Sequence, residues 1–178
     1  MRKIAGGIVE GTFRGRMDSP VGVLTFLAED SGLSAVLFDT DLSRARNPID
    51  PDRAEDGDRH PVIVEAKKQL TEYFARRRTE FDVPLVMHGT PFQIRVWNRL
   101  LEIPYGETVS YQEQARKVGD VKKVRAVAGA NGRNPISIIV PCHRVIGKNG
   151  DLTGFGGGLA RKKLLLDLES RHRALGFG

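Results

Sequence analysis

"SYQEQARKVGDVKKVRAVAGAN" (110–131) reads as two short helices with a turn between them. Ser110 and Glu113 form a capping box: the Ser side chain satisfies the third helical amide, and the Glu side chain reaches back to the cap amide. Gly119 ends that helix and Asp120 caps the next, over 121–131. Two helices joined by a Gly-Asp turn fit a helix-turn-helix. The second is paved with small residues, since Ala126, Ala128, Gly129 and Ala130 surround Val127 and follow Arg125. A helix-interior Gly costs about 1 kcal/mol relative to Ala, so something is expected to approach this face closely. One reading is tight packing on a neighbouring helix. The other is a DNA groove, with Lys122 and Lys123 reaching phosphates.

Upstream, "HGTPFQ" (88–93) marks a domain boundary. Thr90 is the expected N-cap of a helix, Pro91 suits its first position, and Gln93 completes another capping box. Phe92, Val96, Trp97, Leu100 and Leu101 then make an apolar helical face. In the first half, "SPVGVLTFLA" (19–28) and "LSAVLFD" (33–39) flank the turn signal "EDSG" and predict an antiparallel hairpin. The acidic, Pro/Gly-rich stretch 39–60 predicts a long surface loop. Pro61, Ile63, Ala66, Leu70 and Phe74 predict a helix over 61–77, and "FDVPLVM" (81–87) a returning strand. Downstream, "ISIIV" (136–140) predicts a short buried strand ended by Pro141, and "GGGLARKKLLLDLES" (156–170) a Gly-opened helix. The fold class is therefore α+β. A scaffold domain (1–88) of small antiparallel sheet plus helix precedes a mainly helical domain (89–178) with a helix-turn-helix and a buried strand.

Charge divides at the same boundary. Residues 1–88 hold 13 Lys+Arg against 15 Asp+Glu, and residues 89–178 hold 15 against 7. The formal charge of +6 is thus a net −2 followed by a net +8. Such one-sidedness points to a polyanionic partner, nucleic acid first. No apolar run approaches the roughly 20 residues that span a bilayer. The N-terminus lacks a sustained apolar segment of the signal-peptide kind, so a cytoplasmic protein with no membrane partner is expected. One cysteine excludes an internal disulfide and fits a reducing compartment. His60, His88, His143 and His172 are scattered, so no metal and no cofactor are expected.

That one cysteine, Cys142, ends the apolar run in "IIVPCHRVIG" (138–147), with His143 beside it. A lone cysteine usually packs as a small hydrophobe. Its alternative is a nucleophile, which needs a base and an acceptor to orient that base. Neighbours in extended chain point to opposite sides, so His143 is expected to reach Cys142 through a bridging water. Asp167 and Glu169 are both candidate carboxylates for His143.

"PFQIRVW", "IPYGETVSY", "RAVAGANGRNP" and "IIVPCHRV", followed by "GDLTGFGGGLARKKLLLDLE", form a gapless series over residues 90–170. The series resembles the O6-alkylguanine-DNA alkyltransferases, the methylated-DNA–protein-cysteine methyltransferases. The resemblance implies that Cys142 accepts the alkyl group, that His143 is its water-linked base and that Glu169 holds the imidazole. Asn134 would brace the recognition helix against the active-site strand. Arg125 would enter the duplex in place of an extruded base, and Tyr111 would sit by the flipped nucleotide. Main-chain groups of Cys142, Val145 and Gly156 would bond the guanine edge. Phe155 stands where a Tyr is frequent, and Asn131 where some relatives carry an apolar residue against the base. The small residues Ala126, Ala128 and Gly129 would lie in the minor groove. A flipped base in double-stranded DNA, a monomer, and one irreversible transfer per molecule complete the implied activity. Two competitors are a helix-turn-helix regulator whose cysteine merely packs, and a cysteine hydrolase.

Overall fold

A computed structural model of the chain describes residues 11–42 and 54–174. It divides into two compact units, residues 1–88 and 89–178.

The first unit is built on strands β1 (Phe13–Met17), β2 (Leu24–Glu29) and β3 (Gly32–Phe38), followed by one helical turn, α1 (Asp39–Leu42). A two-residue strand, β4 (Glu55–Asp56), completes the sheet in the order β3-β2-β1-β4. The expected hairpin is β2 and β3, antiparallel from Leu24↔Phe38 to Glu29↔Gly32 with a bulge at Leu27/Ala28. β4 runs parallel to β1, so the sheet is not antiparallel throughout. The stretch 39–60 is also not all loop, because its two ends form α1 and β4; residues 43–53 lie outside the described residues.

Helix α2 (Pro61–Phe74) covers the sheet face that carries Gly15 and its partner Phe26. Ile63, Ala66 and Leu70 are buried as their spacing requires. The fourth inward position is Tyr73 rather than Phe74, and Gln69 is buried with it. A Cβ at Gly15 would stand 2.6 Å from the Ile63 side chain, so glycine is what lets the helix settle on β1. The strand expected over 81–87 is absent. Pro84 has no amide to donate, and the segment makes one isolated bridge, Leu33↔Leu85, with Pro84 O and Val86 N bonded to Leu33.

The second unit begins at α3 (Pro91–Leu100), whose capping box joins Thr90 and Gln93 as its sequence dictates. Val96, Trp97 and Leu100 are buried, and Leu101 is left 45% exposed. Strand β5 (Val109–Ser110) leads into α4 (Tyr111–Val118), which has the Ser110–Glu113 capping box. Gly119 closes α4 at φ 114°, a left-handed conformation that glycine adopts without a Cβ clash. The Asp120 side chain accepts from Lys122 N, and a 3-10 turn (Val121–Lys123) precedes α5 (Val124–Asn131). The helix expected over 121–131 is thus α-helical only from Val124. Strand β6 (Val145–Ile146) pairs with β5, and α6 (Leu159–Ala174) ends the described chain. No helix among the described residues is long and apolar enough to cross a membrane.

The largest departure from expectation lies at 136–140. All five residues are buried, but they form a tight turn rather than a strand. Ile138 is left-handed at φ 73°, an uncommon conformation for a β-branched side chain. Asn134 is the cause. Its Oδ1 accepts from Ile136 N at 3.0 Å and its Nδ2 donates to Val140 O at 2.7 Å, which closes the turn around its amide.

Candidate active site

The Asn134 amide also donates to the sulfur of Cys142, at 3.2 Å. Cys142 is 7% exposed and starts a 3-10 turn, Cys142–Arg144. The extended geometry expected of Cys142 and His143 therefore does not hold, because residues 142–144 wind as a helical turn. His143 is fully buried, and its Nε2 lies 2.8 Å from Glu169 Oε1. Asp167 points to solvent and pairs with Lys163, so Glu169 is the inward carboxylate.

Glu169 collects a dense set of donors. Besides His143, Arg144 Nε reaches Oε2 at 2.9 Å, Arg144 Nη2 reaches Oε1 at 3.0 Å, and Gly106 N reaches Oε2 at 3.1 Å. Burial alone would push this carboxyl up. The bonds and charge from His143 and then Arg144 overcome that and hold it at about 2. Burial pushes the His143 pKa down, against the opposing pull of Glu169. At neutral pH the state is an ionised Glu169 beside a neutral imidazole, and the charge from His143 acts on Glu169 only once acid protonates the ring. Nε2–H then donates to the carboxylate, and Nδ1 is left as an unprotonated acceptor. That Nδ1 is buried without a hydrogen-bond partner among the described residues.

Two cations here escaped the sequence reading. Arg144 is buried and also donates through Nη1 to Ile103 O at 2.6 Å. Lys162 is fully buried, and its ammonium donates to Val145 O at 2.6 Å and Thr153 O at 2.9 Å. Burial pushes the Lys162 pKa down, and charge on Cys142 pulls it up. Tyr111 donates its hydroxyl to Thr153 O at 2.9 Å, with Gly154 O at 3.2 Å. Burial raises its pKa, with charge on Cys142 a smaller contribution in the same direction. Val145 is buried on β6, Phe155 and Gly156 are half-buried, and Gly158 N donates to Phe155 O.

The residues of α5 and of the turn before it separate cleanly by face. Val127, Ala130 and Asn131 are buried, while Lys122, Lys123, Arg125 and Ala126 are exposed and Ala128 and Gly129 half-exposed. A Cβ at Gly129 would meet only the end of Arg133, at 3.6 Å, so no neighbouring helix demands the glycine. Asn131 stands apart from the rest of the expected substrate set: its amide is bonded to Gln114. Among the described residues, no three His, Cys, Asp or Glu side chains gather in a way that could hold a metal ion.

Fold and site together define a two-unit α+β protein with a cysteine centre built into a helix-turn-helix unit. The family model for the DNA binding domain of 6-O-methylguanine DNA methyltransferase matches residues 91–171, and that for its ribonuclease-like domain matches residues 12–87. The methylated-DNA–protein-cysteine methyltransferase of Mycobacterium tuberculosis strain H37Rv is 50% identical over 153 residues, covering 86% of this chain and 89% of its own. That of Mycobacterium leprae is 49% identical over 159 residues, 89% of this chain and 92% of its own. The crystal structure of Mycobacterium tuberculosis OGT in complex with DNA superposes with a TM-score of 0.77 at 48% identity, covering 90% of this chain and 94% of that one. The chain belongs to the 6-O-methylguanine DNA methyltransferase family.

Proposed function

We propose that this protein repairs DNA by moving the alkyl group of O6-alkylguanine, and by extension O4-alkylthymine, irreversibly onto Cys142. The observation that carries the reading is the Cys142–Asn134 contact beside a buried His143–Glu169 pair whose Nδ1 stands ready to accept a proton. A water between the thiol and Nδ1 completes the relay. The Cys142 thiol loses its proton to His143, and the imidazolium is stabilised by Glu169. The sulfur attacks the alkyl carbon in line, the S–C bond forms, and the C–O6 bond breaks with its electron pair passing to the guanine. Tyr111 turns from the Thr153 carbonyl to protonate the departing base; solvent then returns a proton to the tyrosinate as the imidazolium releases one to solvent, so that one proton leaves the thiol and one is gained by guanine. The thioether does not hydrolyse, and each molecule acts once.

A base stacked in a duplex is out of reach of a buried sulfur, so it must be flipped out, at a cost of a few kcal/mol. Arg125, exposed on α5, fills the gap it leaves. The open small face of Ala126, Ala128 and Gly129 suits close approach to the minor groove. Phe155, Gly156 and Val145 line the base pocket in this reading, while the Asn131 side chain is committed to Gln114. Residues 89–178 carry DNA binding and transfer, with residues 1–88 as scaffold, in a cytoplasmic monomer. The solved DNA complex of a 48% identical relative supports DNA as partner.

The test is to incubate the protein with a duplex containing O6-methylguanine and weigh the Cys142 peptide. One methyl gained per molecule is expected, and none in Cys142→Ala. DNA binding without methyl gain would instead mark a regulator.

A further inference from the structure

Gln114 and Asn131 are buried polar side chains, 1% and 5% exposed, that the chemistry above leaves unexplained. They face each other from α4 and α5 and bond reciprocally. Gln114 Nε2 donates to Asn131 Oδ1 at 3.1 Å, and Asn131 Nδ2 donates to Gln114 Oε1 at 2.7 Å. Two apolar side chains of similar volume would hold the helices together at least as well, because burying amides has a desolvation cost that the bonds only offset. What a closed amide ring adds is register. A slide of one residue, about 1.5 Å along a helix, breaks both bonds together.

The register so fixed is that of the nucleophile. The main-chain carbonyl of Asn131 accepts from Asn134 N at 3.1 Å, and the Asn134 side chain bonds Ile136, Val140 and the Cys142 sulfur. Next to it, Trp97 Nε1 donates to Ala130 O at 2.9 Å, so the end of α5 is pinned from α3 as well. Three residues of backbone therefore connect the amide ring to the amide that holds the sulfur.

We propose that Gln114 and Asn131 are positioning residues for alkyl transfer: their amide pair sets the register of α5 against α4, so that a recognition helix docked on DNA carries Cys142 at a fixed place relative to the flipped base. This rests on the function proposed above.

The test is single-turnover transfer from a duplex carrying O6-methylguanine, with the affinity for that duplex measured alongside. Gln114→Leu and Asn131→Leu each slow the transfer step roughly 10- to 100-fold, the scale of a misplacement of about 1 Å, with affinity unchanged. Reaction with free O6-methylguanine, which needs no docking, keeps its rate. The double leucine variant is no slower than the worse single, because the pair acts as a unit. The exchange Gln114→Asn with Asn131→Gln keeps both bonds and restores transfer. If the leucine variants fail to fold, the two single exchanges measured against their combination read the same coupling. An unchanged transfer step in folded variants, equal slowing on free base and duplex, multiplying single effects, or failure of the exchange to restore transfer overturns the proposal. Wild-type transfer is the control. Its absence overturns the alkyl-transfer reading and this with it, whereas unmoved variants beside an active wild type overturn this alone.

Discussion

Arg144 grips Glu169 side on, with Nε 2.9 Å from one carboxylate oxygen and Nη2 3.0 Å from the other, and both side chains are buried. Glu169 is thereby fixed as an anion and aimed at His143, two residues' work that a single hydrogen bond would not do. Removing one partner of such a pair leaves a buried charge without compensation. Arg144→Met is expected to lose about 3–5 kcal/mol of stability, read from the urea midpoint. Arg144→Lys recovers only part of it, since an ammonium cannot reproduce the planar fork. A loss below about 1 kcal/mol, the range of exposed pairs, would contradict this account.

Acid should unfold this unit in two stages. His143 has its pKa pushed below the ordinary 6.5 by burial. The unfolded chain therefore takes up that proton first, and stability falls as pH drops below 6.5. Glu169 sits at about 2 in the folded chain against an ordinary 4.5. Its contribution is complete above 4.5 and is lost as pH falls from there toward 2. Urea midpoints should decline as pH falls below 6.5. Glu169→Gln should flatten the lower limb while lowering stability at neutral pH, because Arg144 loses its anion. A Glu169→Gln variant with the wild-type acid limb would assign that limb elsewhere.

Helix ends were legible because their chemistry is local: Thr90 with Gln93, Ser110 with Glu113, Gly119 and Asp120 all cap as their own neighbours dictate. The buried turn at 136–140 was not. A run of β-branched residues looks the same whether it extends or is folded around the Asn134 amide, and nothing in "ISIIV" announces a left-handed Ile138. Nothing local marks Arg144 or Lys162 as buried, because their partners lie far along the chain, at Glu169 for one and at Val145 and Thr153 for the other. Helical spacing alone could not separate Asp167 from Glu169; only the family resemblance did, and the side-chain contacts agree. Strand β1 was hidden by its own composition, since "FRGRM" alternates arginines around a glycine that exists to admit α2.

Lys162 should matter to the sulfur as well as to the fold. Its ammonium satisfies the Val145 and Thr153 carbonyls, and it interacts favourably with charge on Cys142. Lys162→Met leaves both carbonyls without that donor, an expected loss of about 1–3 kcal/mol. It also removes a cation that favours the thiolate. The rate of Cys142 alkylation by iodoacetamide should therefore fall at neutral pH, and its pH midpoint should rise. A lowered melting temperature with an unmoved midpoint would make Lys162 a structural residue only.

Lys122 and Lys123 are adjacent, exposed and equal in formal charge, but they are not equivalent. The Lys123 ammonium lies 3.9 Å from the Asp120 carboxylate, which offsets part of its field toward a phosphate. Asp120 meets Lys122 through the backbone amide rather than through the ammonium. Each phosphate contact contributes about 0.9 to the slope of log affinity against log salt on duplex DNA. Lys122→Ala is expected to lower the slope by about 1 and to weaken binding equally across sequences, and Lys123→Ala to lower it less. Arg125→Ala should act differently from both. On the proposed function it is expected to keep transfer to free O6-methylguanine and to lose transfer on duplex, because there its work would be to fill the stack rather than to hold a phosphate. Salt titrations of the three variants, with transfer measured on both substrates, check the assignment. Equal loss on free base and duplex for Arg125→Ala would remove it from the role of intercalating residue.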